Sequence, residues 1–134
     1  MKSINPQVFD FLKQLERNNN REWFEKHKPR FKALEQDVKR FAEELFQQLN
    51  THDSLEQWKV FRIYRDVRFS KNKTPYKTHF SMGFHRSKPA LRGSYYLHIS
   101  PSESFLACGF WGPEPADLYR IRKEFEVSAE EFRE

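Results

Sequence analysis

Cysteine is nearly absent: Cys108 is the only one in 134 residues. No disulfide can close within the chain, and nothing points to a stapled secreted scaffold. No apolar run approaches the length of a membrane span, and the N-terminal "MKSINPQVFDFLKQL" lacks the apolar core of a signal peptide. The expectation is therefore a cytoplasmic chain with no membrane partner. Repeats, low-complexity tracts and the G-x-x-x-x-G-K-[ST] phosphate loop are also missing. Aromatics are not scarce: fourteen Phe help bring them to 16% of the residues, which favours a packed interior over disorder. The length suits one domain.

Charge is distributed unevenly. The chain has 24 Lys and Arg against 19 Asp and Glu. Residues 62–77 hold six of those cations (Arg62, Arg65, Arg68, Lys71, Lys73 and Lys77) and one acid, Asp66, while elsewhere 18 basic residues face 18 acidic ones. The whole excess of +5 sits in one short segment, "RIYRDVRFSKNKTPYK". Such a footprint concentrates anions locally.

The first fifty residues carry helical patterns. Ser3 or Asn5 can cap, Pro6 suits a first turn, and Val8, Phe9, Leu12 and Leu15 form a stripe. "NNN" at 18–20 reads as a break. A short helix, "REWFEKH", and a longer one from about Pro29 to Gln48 should follow, the latter on Phe31, Leu34, Val38, Phe41 and Leu45. After Thr51 the period becomes two, which predicts strands near 59–65, 78–86, 94–100 and 104–111. From about 114 to 134 helical patterns resume. The expected fold is α+β over residues 1–134: helices over about 5–50, an antiparallel sheet of about four strands over 59–111, then C-terminal helices.

Register follows from burial. Phe80, Met82 and Phe84 share one face of their strand, and Tyr95, Leu97 and Ile99 share one face of the next. Burying both sets together requires paired positions whose numbers sum to an odd value. Phe61 and Ile63 should join this core by the same logic. The opposite face then collects Arg62, Tyr64, His79, Ser81, His85, Tyr96 and His98. Leu106, Cys108 and Phe110 are expected on that polar side as well.

Four stretches, "FDFLKQLERNNNREWFEKHKPRF", "YRDVRFSKNKTPYKTHF", "YYLHISP" and "GFWGPEPADLYRIR", resemble in order the uncharacterised family called domain of unknown function 2461. The resemblance implies a mixed helix and sheet domain and brings no settled activity or catalytic residue. Members usually carry a further segment after the helix that begins here near Pro115. By that comparison 134 residues make a short or shortened member.

The segment 62–77 carries the main functional expectation. Arg offers a planar fork of donors for phosphate or carboxylate, and Lys a mobile point charge. Arg62, Arg65, Arg68, Lys71, Lys73, Tyr76 and Lys77 are the candidate anion-binding set, with Tyr64, Asp66, His79, His85, Tyr96 and His98 as a supporting polar face. The ligand class is a phosphate-bearing or other anionic small molecule. A nucleic-acid backbone is the alternative, and the even charge elsewhere disfavours it. A third reading is a partner-docking domain in which Arg62, Arg65 and Arg68 pair with Glu16, Glu22 or Glu25 and build only structure. Asp66, flanked by cations, should stay ionised and hold one of the arginines.

No cofactor motif is present, and no metal is expected. Imidazole suits zinc or iron, but six residues of extended strand place His79 and His85 about 20 Å apart. Nor does His79 or His98 define a general base, because proton transfer needs a positioned substrate. Trp23, Phe24 and Trp111 read as core, Cys108 as a buried small residue, and "KHKPRFK" at 26–32 as a solvated helix junction.

Overall fold

The computed structural model describes residues 3–88, 93–109 and 122–123. Two helices, α1 (Gln7–Arg17) and α2 (Arg21–Asn50), precede four strands, β1 (Leu55–Val60), β2 (Phe80–Arg86), β3 (Ser94–Ile99) and β4 (Phe105–Gly109). The strands form one antiparallel sheet in the order β1-β2-β3-β4. Helices packed with such a sheet make the fold α+β. Arg122 and Lys123 are helical. The rest of the expected C-terminal helices, with Phe110 and Trp111, lies outside the described residues.

The three asparagines at 18–20 divide the work of the break. Asn18 caps α1: its backbone N–H and its side-chain amide both donate to the Gln14 carbonyl, at 3.0 and 2.9 Å. Asn20 caps α2, its Oδ1 accepting from the Trp23 N–H at 2.8 Å. Asn19 reaches away from both helices. At the start of α1, Asn5 Oδ1 accepts from the Gln7 N–H at 3.0 Å.

The expected junction at Pro29 is not there. Arg21–Asn50 is one helix with Pro29 inside it. A mid-helix proline forfeits a backbone hydrogen bond and crowds the preceding turn. Here Phe24 lies seven residues before Phe31, so a single stripe of Phe24, Phe31, Leu34, Val38 and Ala42 stays buried only if the helix runs through. Burial of two aromatic rings outweighs one lost bond. The basic stretch 26–32 is solvated and paired locally, through Lys26–Glu22, Lys28–Glu25 and Lys32–Glu35. Arg30 donates instead to Gln14 Oε1 and ties α2 to α1.

β2 and β3 pair as burial demands: Phe80 opposite Ile99, Met82 opposite Leu97 and Phe84 opposite Tyr95, all odd sums. β1 differs from the expectation. It begins four residues earlier, with Val60 opposite Met82 and Trp58 opposite Phe84, which are even sums. Val60 and Trp58 thus take the core side, and Phe61 turns to the opposite face, 6.5 Å from the Tyr96 ring. A Cβ on Gly83 would come within 3.4 Å of the Phe61 ring, so the glycine lets that ring lie close to the sheet. Ile63 is buried, but beyond the end of β1.

Leu106 and Cys108 face opposite ways from the expectation too. Leu106 pairs with Leu97 and Cys108 with Tyr95, which puts both on the core side. Both are nevertheless exposed. Among the described residues α2 packs on β1 and β2, and no helix reaches β4. The α2–β1 turn is pinned by Asp53, which accepts from Tyr95 Oη at 2.7 Å and pairs with Arg86 Nε at 2.9 Å. The Tyr95 hydroxyl, then the Ser54 N–H, hold the Asp53 carboxyl below the usual carboxylate range.

Candidate functional site

The basic segment lies on the connector between β1 and β2, residues 61–79. Phe61 still donates to the Ser81 carbonyl, after which regular pairing lapses. One bridge, Tyr64 with Tyr76, survives further out, flanked by Arg65 N–H to the Pro75 carbonyl and Lys77 N–H to the Ile63 carbonyl. Pro75 has no N–H to return, so the ladder ends there.

Side chains take over where the ladder stops. The Arg65 guanidinium turns inward and donates through Nη1 to the Thr74 carbonyl (2.8 Å), Thr74 Oγ1 (2.7 Å) and the Asn72 carbonyl (3.3 Å). Asp66 accepts from Arg68 through both carboxylate oxygens, at 3.0 and 2.8 Å, and from the Arg68 N–H. The Arg68 side chain, then its N–H, lower the Asp66 pKa, and Asp66 raises that of Arg68. Lys73 Nζ donates to the Val67 carbonyl at 2.6 Å. Three of the expected anion ligands, Arg65, Arg68 and Lys73, therefore brace their own loop. Among the described residues the Arg–Glu pairing of the third reading is also absent: Glu22 and Glu25 pair within α2, and Arg68 pairs with Asp66.

The connector is fastened to the helices at Tyr76. The Asn19 amide works like a neighbouring strand: its Nδ2 donates to the Tyr76 carbonyl at 2.8 Å and its Oδ1 accepts the Tyr76 N–H at 3.1 Å. The Tyr76 ring stacks on Phe24 with centroids 4.1 Å apart. Tyr76 is thus a buried structural residue at the floor of the site.

Between the start of α2 and the connector lies a cavity of about 370 Å³, lined by Arg21, Glu25, Arg62, Tyr64, Arg65, Val67, Pro75 and Tyr76. The Arg62 guanidinium sits 5.3 Å from the Tyr64 ring centroid. Burial raises the Tyr76 pKa, with Tyr64 and Glu25 adding to the rise and Arg21 opposing it. Among the described residues neither Arg21 nor Arg62 is in an ion pair. Of the expected set, Arg62 alone among the described residues presents a guanidinium there with no hydrogen-bond or ion-pair partner. Lys77 is half-buried outside the lining, and burial, then Arg62, lower its pKa. Lys71 is exposed. Arg21 was not legible as a site residue, because its place opposite Arg62 depends on the α1–α2 turn meeting a segment some 40 positions on.

A second cavity, about 290 Å³, lies by Asn5, Asp37, Arg40 and Glu44, far along α2 from the connector. Its Asp37 is taken by Asn5 and Arg40.

Residues 7–134 fit the family described as conserved hypothetical protein, DUF2461. The chain belongs to that family. No curated protein and no solved structure matches it.

The polar sheet face of this DUF2461 chain keeps Ser81, His85, Tyr96 and His98 together, as their pairings require. Arg62 and Tyr64 do not join them. They lie beyond β1 on the connector, where Tyr64 packs edge-on to Phe24. His79 stacks on His98 at 4.1 Å, His98 stacks on Phe105 at 4.8 Å, and Tyr96 Oη lies 3.1 Å from His98 Nδ1. Among the described residues no group of three or more His, Cys, Asp or Glu could hold a metal ion, and no helix is long and apolar enough to cross a membrane.

Burial, then His98 and Lys77, push the His79 pKa down to about 4. The unfolded chain takes up that proton near pH 6.5. Between the two values the unfolded state holds more protons, so this contribution to stability is full above pH 6.5 and is lost as pH falls toward 4. Discounted for a half-exposed ring, the loss should be about 1–2 kcal/mol. Urea midpoints measured from pH 7 to pH 4 should show it, and His79→Gln should flatten the slope. An unchanged slope in that variant would assign the loss to other groups.

Proposed function

We propose that the chain binds a small anionic ligand, bearing phosphate or carboxylate, in the cavity between the start of α2 and the connector. Arg62 and Arg21 supply the forks, Tyr64 a flanking ring, and Glu25 selects against ligands that crowd the acidic side. Two guanidinium groups lining one cavity with no ion-pair partner among the described residues carry this reading. Arg21 and Arg62 are both exposed, so each fork is open to take an oxyanion bidentately, and the volume falls within the range of small-ligand sites. Arg65, Arg68 and Lys73 serve as frame rather than ligands, and Lys77 adds positive potential from outside the lining.

The test is thermal denaturation with inorganic phosphate and with pyrophosphate. A saturable rise in Tm is expected, as for any ligand that binds only the folded chain. Arg62→Ala and Arg21→Ala should each abolish it, while Lys71→Ala should leave it intact. A rise that grows without saturation, or that survives both arginine changes, overturns the reading.

A further inference from the structure

The tip of the connector has a feature that the cavity does not use. Phe69 is 95% exposed, and among the described residues the only other exposed aromatics are Tyr64 and Phe105, at 44% and 42%. A ring left in water on a floppy loop would need no account, but this loop is braced. Arg65 grips the carbonyls of Asn72 and Thr74, Asn72 Oδ1 accepts the Thr74 N–H, Ser70 N–H donates to the Val67 carbonyl, and Lys73 holds that same carbonyl. The ordering that a partner would otherwise have to impose on the loop is already in place. The charged groups near the ring are mostly cations. The Arg68 guanidinium carbon is 5.8 Å from the Phe69 centroid, Lys71 and Lys73 follow within four residues and are exposed, and the one acid of the segment, Asp66, is occupied by Arg68.

We propose that this tip is a contact for single-stranded nucleic acid, in which the Phe69 ring stacks on an unpaired base and the exposed Lys71 meets the adjoining phosphate. The partner must offer a flat apolar face and fixed negative charge a few ångströms from it, which each nucleotide of a single strand does. A lipid surface fits less well. Stable attachment to a bilayer needs more apolar area than one ring, and the neighbours of Phe69 at the tip are Ser70, Lys71, Asn72 and Lys73, with Val67 half-buried. A duplex hides its base faces and leaves Phe69 nothing to stack on. The contact covers one or two nucleotides, consistent with the even charge of the rest of the chain. It goes beyond the cavity reading and does not depend on it.

The experiment is fluorescence anisotropy of a labelled oligothymidylate, and of a duplex of equal length, at low and at raised salt. The single strand should bind more tightly. Phe69→Ala should weaken it by about 5- to 150-fold, the range of one base–aromatic stack, and Phe69→Trp should retain it. Because the ring contributes almost nothing to the core, both variants should keep the wild-type circular dichroism and Tm. Lys71→Ala should weaken binding and lower the salt slope by about 0.7, one phosphate on a single strand. The proposal is overturned if Phe69→Ala binds as the wild type does, if duplex and single strand bind equally, if no binding occurs at low salt, or if anionic vesicles are captured in a Phe69-dependent way. The cavity reading fails separately: it is read from phosphate-induced Tm shifts, which Phe69→Ala should leave unchanged.

Discussion

Replacing Phe24 by alanine is expected to cost about 3–5 kcal/mol of unfolding free energy, the range for losing a buried phenyl ring. Phe24 is fully buried one turn into α2. It stacks on Tyr76 at 4.1 Å and meets Phe31 at 5.0 Å, and Phe31 lies parallel to Phe80 at 6.0 Å. That column of rings joins connector, helix and the first residue of β2. Nothing rigid could fill the gap beneath Tyr76, since its backbone is already held by Asn19. Domains of this kind total about 5–15 kcal/mol, so the variant should be near its folding limit at 37 °C. Phe24→Leu should lose less. Urea denaturation followed by Trp fluorescence checks this, and a change under about 1 kcal/mol would contradict a cavity-forming loss.

The second large effect is local. Arg65→Met keeps the stem and removes every donor, so the carbonyls of Asn72 and Thr74 lose their charged partner. Charged hydrogen bonds contribute about 1.5–3 kcal/mol each where they are shielded; partial exposure of this group reduces the expected loss to about 2–3 kcal/mol overall. The deficit should fall on residues 66–74, as faster amide exchange and new protease cleavage there, with the sheet unaffected. Arg65→Lys should not restore protection, because an ammonium cannot span the positions that the planar fork reaches. Full recovery with Lys would mean that charge alone, not the fork, organises the loop.

Burial patterns that stay within one element were readable from the residues. The β2–β3 register followed from Phe80, Met82 and Phe84 against Tyr95, Leu97 and Ile99, because only one parity buries both sets. Asp66 was legible as an arginine holder from its flanking charges. The errors lie where a tertiary contact overrode a local signal. Pro29 marked a helix boundary by its chemistry, yet the Phe24–Phe31 stripe carried the helix through it. β1 starts at Leu55 rather than 59 because Trp58 and Val60, not Phe61, fill the space opposite Phe84 and Met82. Crowded cations in 62–77 suggested one convergent site. Three of them instead satisfy the carbonyls and carboxylate of an irregular loop, a demand that composition does not reveal. Arg21 and Asn19 were missed for a related reason: their partners sit on the connector, and no spacing rule links them.

The Asn19–Tyr76 clasp also has a consequence for kinetics. It spans 57 positions, and closing a loop of that length costs about 3.5 kcal/mol of chain entropy before either amide bond forms. On a growing chain the α1–α2 turn is made well before residue 76, so this wall of the cavity waits until the connector has been made. High contact order of this kind slows assembly. The cleft should therefore be among the last parts of the molecule to set during refolding, and a pulse-labelling experiment should find Tyr76 protected after the amides of α2.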